Sequence, residues 1–324
     1  MVTVHPPPGT GSYGVQVARE AIRRSWVLVS ALDERGVEEA RTWGADVIVL
    51  DLEESVHDSR KTEARARIGE AISALAQGGT EVFVRPDIEL LYADLEAGIV
   101  PGLTGVVLPT VSSAEQVREA DGIVDAFERQ RGLPGVVELH LALETAEGSL
   151  HAMEIIAASA RVRSVSLGRA DLVMDLRPEP NGELHMMPYL LQRLVTVARA
   201  GGVEPIGAWW DADSRGMLAS PEATLRAARR ARRHGFRGGM GVGASQVDPL
   251  NAGFTPDVAE VARAAVLVQA FETARARGER WGLEQGQIVD AARAETARRV
   301  IAHAEQCRGR DERKQAAATA AGHE

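Results

Sequence analysis

The chain has 324 residues, of which 45% are hydrophobic and 26% are charged, a balance that is typical of a globular protein. This composition excludes a disordered, collagen-like or disulfide-stapled chain. With 37 Lys and Arg residues against 46 Asp and Glu residues, the formal net charge is −9. Sequence-independent nucleic-acid binding is therefore a poor hypothesis, because such binding depends on the neutralisation of phosphates.

Signals for export or membrane insertion are missing from the sequence pattern. No stretch approaches the roughly 18–20 uninterrupted apolar residues of a membrane helix. The Pro- and Gly-rich residues 1–14 lack the apolar core of a signal peptide. The single cysteine, Cys307, excludes an intrachain disulfide and a thiolate metal cage. We therefore expect a cytoplasmic protein with no membrane and no nucleic-acid partner.

Short apolar runs, rich in β-branched residues, alternate along the chain with longer helical patterns. Near-continuous hydrophobic strands that alternate with helices are typical of a parallel sheet covered on both faces. Eight such units predict an α/β fold, a (β/α)8 TIM barrel, with a doubly wound open sheet as the alternative. The predicted strands are residues 25–32, 46–53, 81–87, 105–110, 138–145, 162–172, 204–211 and 238–245.

The pattern changes after residue 245, where two long helices rich in Ala, Arg and Glu are predicted at 256–278 and 284–306. They exceed what is needed to complete a barrel. The last residues have no apolar periodicity, which is typical of disorder. The predicted division is an N-terminal arm at 1–22, the barrel at 23–250, a C-terminal helical extension at 251–307 and a disordered tail at 308–324.

Charged side chains cluster where the predicted strands end. In a barrel, catalytic residues lie at the carboxyl ends of the strands. Carboxylates that end several strands, together with an arginine, indicate a cation held by oxygen ligands and an anionic substrate held by the arginine. The residues are Asp51, Glu53, Glu54, Arg85, Glu144 and Asp171.

The types of ligand narrow the identity of the cation. Carboxylates without a His or Cys cluster suit Mg²⁺, with Mn²⁺ as a related choice. Zinc would need imidazole or thiolate ligands, and the 8 histidines show no HxxxH spacing. On the pattern alone, a structural role for Glu144 and Asp171, as helix N-caps or in loop ion pairs, is as good an interpretation as metal binding.

A series of short motifs runs through most of the chain in a fixed order. The motifs are Arg24-Ser25, GADVIVLDLEESV (44–56), Lys61, Ala64-Arg65, VRPD (84–87), GVVLPT (105–110), ELHLALET (138–145), LGRADL (167–172), HGFRG (234–238), Gln246, NAGFTP (251–256) and GQIVD (286–290). By these motifs, over roughly residues 23–302, the chain resembles the HpcH/HpaI aldolase/citrate lyase family. The resemblance is strongest to its citrate lyase β-subunit-like branch, which includes malyl-CoA and citramalyl-CoA lyases.

The resemblance implies roles for individual residues. Glu144 and Asp171 match the family's Mg²⁺ ligands, and with Ala170 they contribute to substrate binding. Arg85 matches the arginine that binds the carboxylate of a 2-oxo acid and stabilises developing enolate charge. Asp290 matches an acid/base aspartate that is supplied across a subunit boundary, with a solvated helix carboxylate as the alternative.

The other acidic residues near the second strand have a supporting role in this interpretation. Asp51, Glu53 and Glu54 are expected to hold Arg85 and the waters of the metal. Ordinary ion pairs are the alternative for Glu53 and Glu54.

The activity implied by the resemblance is that of a Mg²⁺-dependent carbon–carbon lyase. Such an enzyme forms or breaks a carbon–carbon bond between a 2-oxo acid and a second substrate. The 2-oxo acid is of the pyruvate, glyoxylate or oxaloacetate type, and the second substrate is an acyl thioester, such as an acyl-CoA, or an aldehyde. The resemblance also implies a homotrimer or hexamer. The alternatives are a thioester hydrolase or a CoA-independent aldolase on the same scaffold, and a non-catalytic binding or assembly subunit.

Some positions depart from the family pattern. Thr110 stands where lysine is usual, and the segment 243–245 lacks the usual histidine. These departures leave the metal ligands intact but weaken the expectation of a coenzyme A ester. Trp209 and Trp210 lie at the end of the seventh predicted strand, where substrate stacking and packing in a core or interface are both open interpretations.

Overall fold

A computed structural model of the chain describes residues 21–135, 137–176, 183–210 and 219–321, and it leaves the side chains of residues 169, 170, 183–187 and 321 outside this description. The strands are β1 (Ser25–Ser30), β2 (Val47–Asp51), β3 (Glu81–Arg85), β4 (Leu103–Leu108), β5 (Glu138–Leu143), β6 (Val162–Leu167), β7 (Glu204–Ile206), β8 (Gly239–Gly241), β9 (Gly282–Glu284) and β10 (Gln287–Val289). The helices are α1 (Glu34–Ala40), α2 (Lys61–Gln77), α3 (Leu91–Gly98), α4 (Ala114–Arg131), α5 (Ala146–Leu150), α6 (Ala152–Ile156), α7 (Arg169–Leu176), α8 (Glu183–Gly201), α9 (Pro221–Arg233), α10 (Val247–Phe254), α11 (Val258–Ala276) and α12 (Ala291–Ala321).

The first eight strands form one parallel sheet in the order β7-β6-β5-β4-β3-β2-β1-β8. Its two edges meet, because Ile206 bridges to Gly238 and the Gly207 N–H donates to the Gly238 carbonyl at 2.7 Å. The sheet therefore closes on itself. The predicted TIM barrel is confirmed, and the open sheet is excluded.

The inside of the barrel is a packed core. The rings of Trp26 and Phe83 lie 4.8 Å apart, and Trp26 also contacts His140 at 4.9 Å. Both ring nitrogens of His140 lie within hydrogen-bond distance of serine hydroxyls, those of Ser164 and Ser166. Burial lowers the pKa of His140 to about 3, so the imidazole is neutral. A filled interior leaves the ends of the barrel as the places for chemistry.

The outer face of the sheet packs against the helices. In α2, the residues Ala64, Ile68, Ile72 and Leu75 recur every three or four positions, so one face of the helix is apolar, and all four are buried. Among the described residues, no helix is long and apolar enough to cross a membrane.

The C-terminal extension differs from the two predicted helices at 256–278 and 284–306. Between α11 and α12, strands β9 and β10 form an antiparallel hairpin. Its turn is Gln285 and Gly286, whose φ angles of 48° and 74° are both positive, as a two-residue hairpin turn of the primed type requires. The second helix therefore begins at Ala291 rather than at residue 284.

The end of the chain is also not as predicted. The tail predicted to be disordered, 308–324, continues α12 as far as Ala321. Its charged side chains bind the N-terminal end of the barrel: the Lys314 ammonium lies 2.6 Å from Asp46 Oδ1, and the Arg310 guanidinium donates to the Asp46 carbonyl at 2.8 Å. Ion pairs rather than an apolar stripe hold this segment, so the apolar pattern could not reveal it. The predicted arm, 1–22, lies outside the described residues up to residue 20.

Asp46 is the centre of this contact. It is fully buried and binds Arg24 through the guanidinium Nε at 2.8 Å and Nη2 at 3.0 Å. Burial alone would raise the pKa of Asp46, but hydrogen bonds from Arg24 and the charge of Lys314 hold that pKa below its usual range. The ionised carboxylate therefore joins the start of the barrel to the end of the chain.

Replacing Asp46 tests this contact. Asp46→Ala removes the buried counter-charge of Arg24 and Lys314 and leaves them only the half-exposed Asp311, so we expect the free energy of unfolding to fall by about 3–5 kcal/mol in urea titrations. Glu39→Ala removes an exposed ion pair with Arg35 and should change the free energy far less. Equal losses in the two variants would contradict this role of Asp46.

Candidate active site

Because all eight barrel strands are parallel, the residues that follow them meet at one end of the barrel. Asp51 ends β2 and is in register with Arg85 at the end of β3. Glu144 directly follows β5, and Asp171 lies in the first turn of α7, after β6. The predicted charged residues thus share one end of the barrel.

Three carboxylates hold Arg85. Its Nε donates to Asp51 Oδ1 at 2.7 Å, its Nη1 lies 3.2 Å from Glu53 Oε2, and its Nη2 donates to Glu54 Oε2 at 3.0 Å. Asp51 also accepts the backbone N–H groups of Glu53 at 3.0 Å and Ser55 at 2.9 Å, which fixes the turn after β2. The three acidic residues therefore surround the guanidinium, while their contact with waters of a metal stays a prediction.

Among the described side chains, the carboxylates in contact with Arg85 outnumber it three to one. Burial raises the pKa of Glu53 to about 7; the Arg85 guanidinium opposes this rise, and the charge of Glu144 adds to it. For Asp51, burial would raise the pKa, but the hydrogen bond from Arg85 holds it below its ordinary value. One guanidinium thus compensates only part of the acidic cluster, and a bound cation would relieve the remainder.

Glu144 is held tightly in place. Its Oε2 accepts two hydrogen bonds from Thr110, from the backbone N–H at 2.8 Å and from the hydroxyl at 2.9 Å. A Cβ on Gly168 would lie 2.2 Å from Glu144 Cγ and 2.4 Å from Oε1, so only glycine leaves room for this side chain. Burial raises the pKa of Glu144; the hydrogen bonds from Thr110 oppose the rise, and the charge of Asp171 adds to it. Glu144 and Asp171 are therefore close enough to interact.

The donor set suits a hard divalent cation. Within the described part of the chain, no group of three or more His, Cys, Asp or Glu side chains could form a metal cage. Mg²⁺ does not need one, because it is usually bound by one or two carboxylates and keeps waters and substrate oxygens. The interacting, exposed Asp171 and partly buried Glu144 provide such a pair. Ala170 begins the same helix, but its side chain lies outside the described residues.

Comparison with known proteins agrees with this arrangement. The model of the HpcH/HpaI aldolase/citrate lyase family matches residues 24–241. The chain belongs to this family. The L-malyl-CoA/beta-methylmalyl-CoA lyase of Cereibacter sphaeroides is 32% identical over 288 residues, which cover 81% of this chain and 88% of the relative. The (3S)-malyl-CoA thioesterase of the same organism is 30% identical over 287 residues, which cover 87% of this chain and 94% of the relative.

A solved structure supports the fold of this HpcH/HpaI family member. The protein CitE from Mycobacterium tuberculosis, solved with magnesium, acetoacetate and coenzyme A, superimposes with a TM-score of 0.64 at 24% identity. The alignment covers 87% of this chain and 97% of that chain. The predicted membership and the barrel are both confirmed, and the relatives named above act on coenzyme A esters.

Asp290 lies in the C-terminal extension, directly before α12. It is exposed at the start of α12, where its Oδ1 accepts the N–H of Arg293 at 2.9 Å. This is the geometry of a helix N-cap. In the described residues no hydrogen bond or ion pair joins Asp290 to Arg85 or Glu144. A role for Asp290 across a subunit boundary stays a prediction.

Trp209 packs against a helix. Its ring stacks on His234, just after α9, at 4.3 Å, and its backbone N–H donates to Ala227 at 3.3 Å. Packing is therefore the better interpretation for Trp209. Trp210 is partly buried and directly precedes residues 211–218, which lie outside the described part.

Sequence reasoning missed two residues that shape the site. Thr110 was noted only as a departure from the family, and Gly168 was not singled out. Both act on Glu144 through contacts between strands that are distant in sequence. A glycine inside the predicted strand 162–172, next to the predicted strand 138–145 that ends in a carboxylate, was the available signal for Gly168.

The raised pKa of Glu53 predicts a pH dependence. Because the folded state binds this proton more tightly than the unfolded state, stability should fall as pH rises from the ordinary glutamate pKa, about 4.3, towards 7. We expect wild type to lose up to about 1.4 kcal/mol per pH unit relative to Glu53→Gln over this window, and nothing further above it. Denaturant titrations in EDTA measure the difference, in which ionisable groups that do not interact with Glu53 cancel. A difference that does not vary with pH would contradict the assignment.

Proposed function

We propose that this chain is a Mg²⁺-dependent carbon–carbon lyase that acts on a 2-oxo acid and an acyl thioester. The observation that carries the proposal is the guanidinium of Arg85, fixed by acidic side chains at the barrel end that also holds the interacting pair Glu144 and Asp171. A fixed positive charge beside a carboxylate pair suits an anionic substrate that chelates a cation.

The proposed cleavage breaks the bond between the hydroxyl-bearing carbon and the α-carbon of a β-hydroxy acyl thioester. The hydroxyl loses its proton and becomes the carbonyl of the 2-oxo acid. The electron pair of the broken bond passes to the α-carbon of the acyl thioester, giving an enolate that then takes up a proton. In the reverse direction the same atoms form the bond. The developing negative charge on oxygen is what the site must stabilise.

Arg85 is the residue that we assign to that charge. A guanidinium has five N–H donors, so contacts with three carboxylates leave donors for a substrate carboxylate or enolate oxygen. Because Asp51, Glu53 and Glu54 fix its orientation beforehand, little reorganisation is needed during the reaction. Only 12% of the side chain is exposed, which strengthens its electrostatic effect.

The carboxylate pair is assigned to the cation. Glu144 and Asp171 would hold Mg²⁺, or Mn²⁺, which when bound polarises the carbonyl of the 2-oxo acid as a Lewis acid. Asp290 of a neighbouring copy is the proposed acid/base for the α-carbon. This assignment requires an oligomer, which we expect to be a homotrimer or hexamer, located in the cytoplasm.

Thioester hydrolysis is the second candidate, and the relative named as a thioesterase favours it. Hydrolysis would require a water molecule to attack the thioester carbonyl carbon in the same pocket, with the carboxylic acid and the free thiol of coenzyme A as products. A CoA-independent aldolase would keep the 2-oxo-acid half of the site. A non-catalytic subunit is disfavoured, because Arg85, Glu144 and Asp171 are all retained at the barrel end.

Calorimetry tests the cation and oxo-acid site. Titration with pyruvate, glyoxylate or oxaloacetate should give binding heat only with Mg²⁺ present, because the cation and Arg85 hold the acid jointly. Asp171→Asn should weaken this binding by at least about tenfold, since it removes a direct ligand. The matched control is Asp257→Asn, at the N-cap of α11, near the opposite end of the barrel, which should bind normally. Binding without Mg²⁺, or normal binding by Asp171→Asn, would contradict the proposal.

Product analysis distinguishes the two candidate reactions. We choose L-malyl-CoA as the trial substrate because the relative with 32% identity is named for it. A lyase releases glyoxylate and acetyl-CoA without a free thiol, whereas a hydrolase releases malate and the free thiol of coenzyme A. Arg85→Lys should lower mainly the kcat of the lyase reaction, because an ammonium group cannot replace the planar, paired N–H donors of the guanidinium. Release of free thiol without glyoxylate would contradict the lyase activity and support the hydrolase.

A further inference from the structure

We propose that Thr110 is a positioning residue, which fixes the Glu144 carboxylate so that one of its oxygens stays available to a cation. The inference rests on the proposed function and deepens it, because it assigns the orientation of the ligand to a residue outside the predicted site. Three observations carry it: the backbone of Thr110, the oxygen that it binds and the space beside Gly168.

The chain bulges at Thr110. Leu108, the last residue of β4, is in register with Leu141, and the Val111 N–H then donates to the Ala142 carbonyl at 3.1 Å. Between these contacts Thr110 has a φ of +49°, which β-branched residues rarely adopt because the Cβ crowds the backbone. Local preference does not favour this conformation, so contacts with the rest of the site must maintain it.

Both donors of Thr110 converge on a single oxygen of Glu144. The backbone N–H and the hydroxyl bind Oε2 at 2.8 and 2.9 Å, and neither binds Oε1. Oε1 instead lies over Gly168, where a Cβ would approach it to 2.4 Å. Gly168 directly precedes α7, which carries Asp171 in its first turn. The oxygen that Thr110 leaves unbound therefore faces the segment of the second proposed ligand.

Orientation matters here because the positive charge of Arg85 attracts the Glu144 carboxylate. An ion pair with Arg85 would occupy the oxygens that a cation needs. Two hydrogen bonds to Oε2 prevent the side chain from rotating into such a pair, and the bare Cα of Gly168 leaves Oε1 in place.

Substitution of the hydroxyl tests the proposal. Thr110→Val keeps the β-branched shape and the backbone N–H but removes one donor, whereas Thr110→Ser retains the donor. Thr80→Val is the matched control, because Thr80 is 6% exposed and its hydroxyl donates to the Ala45 carbonyl at 3.2 Å, near the opposite end of the barrel. Glu144→Ala reports the loss of the ligand itself. For each variant, Mg²⁺-dependent pyruvate binding is measured by calorimetry, and folding by thermal unfolding.

We expect Thr110→Val to weaken Mg²⁺-dependent pyruvate binding by about 10–100-fold, the usual effect of removing a hydrogen-bond partner of a metal ligand. Thr110→Ser and Thr80→Val should bind like wild type. If Thr110→Val does not fold, Thr110→Ala replaces it with the same expectation.

Two outcomes would overturn the proposal and leave the proposed function intact. They are wild-type affinity in Thr110→Val while Glu144→Ala loses binding, and equal weakening in Thr110→Ser and Thr110→Val. Absence of Mg²⁺-dependent binding in wild type would overturn the proposed function, and this inference with it.

Discussion

The repulsion among carboxylates at the carboxyl end of the barrel is the constraint from which the site follows. Five acidic side chains, contributed by three strand ends, surround or neighbour one guanidinium. The hydrogen bond from Arg85 holds the pKa of Asp51 below its ordinary value, whereas burial and mutual repulsion raise the pKa of Glu53 and Glu144. An acidic surplus of this kind persists in a stable protein when function requires it, and a divalent cation is the simplest species that would neutralise it.

The opposite end of the barrel shows what a balanced network looks like. There the buried Asp46 binds Arg24 and Lys314, and its pKa is lowered rather than raised. Both ends concentrate charge. Among the described residues, the carboxyl groups with a raised pKa, Glu53 and Glu144, lie at the proposed catalytic end. The balanced end also explains how the last turns of α12 are ordered.

The sequence was informative where function depends on strand periodicity and uninformative where it depends on contacts between distant segments. Apolar runs predicted the barrel, and parallel strands necessarily bring Arg85 and Glu144 to one end. The last turns of α12 were missed because ion pairs hold them, and the hairpin turn was missed because Gln285 is not a residue that favours a positive φ. The hydrogen bonds of Thr110 depend on a bulge that no local pattern encodes.

A crystal grown with Mn²⁺ and pyruvate would locate the proposed cation site, because manganese scatters anomalously and takes the same oxygen ligands as Mg²⁺. We expect one anomalous peak at the carboxyl end of the barrel, within coordination distance of both Glu144 and Asp171, with pyruvate between the peak and Arg85. A peak elsewhere, or pyruvate bound at Arg85 without any metal peak, would contradict the proposal.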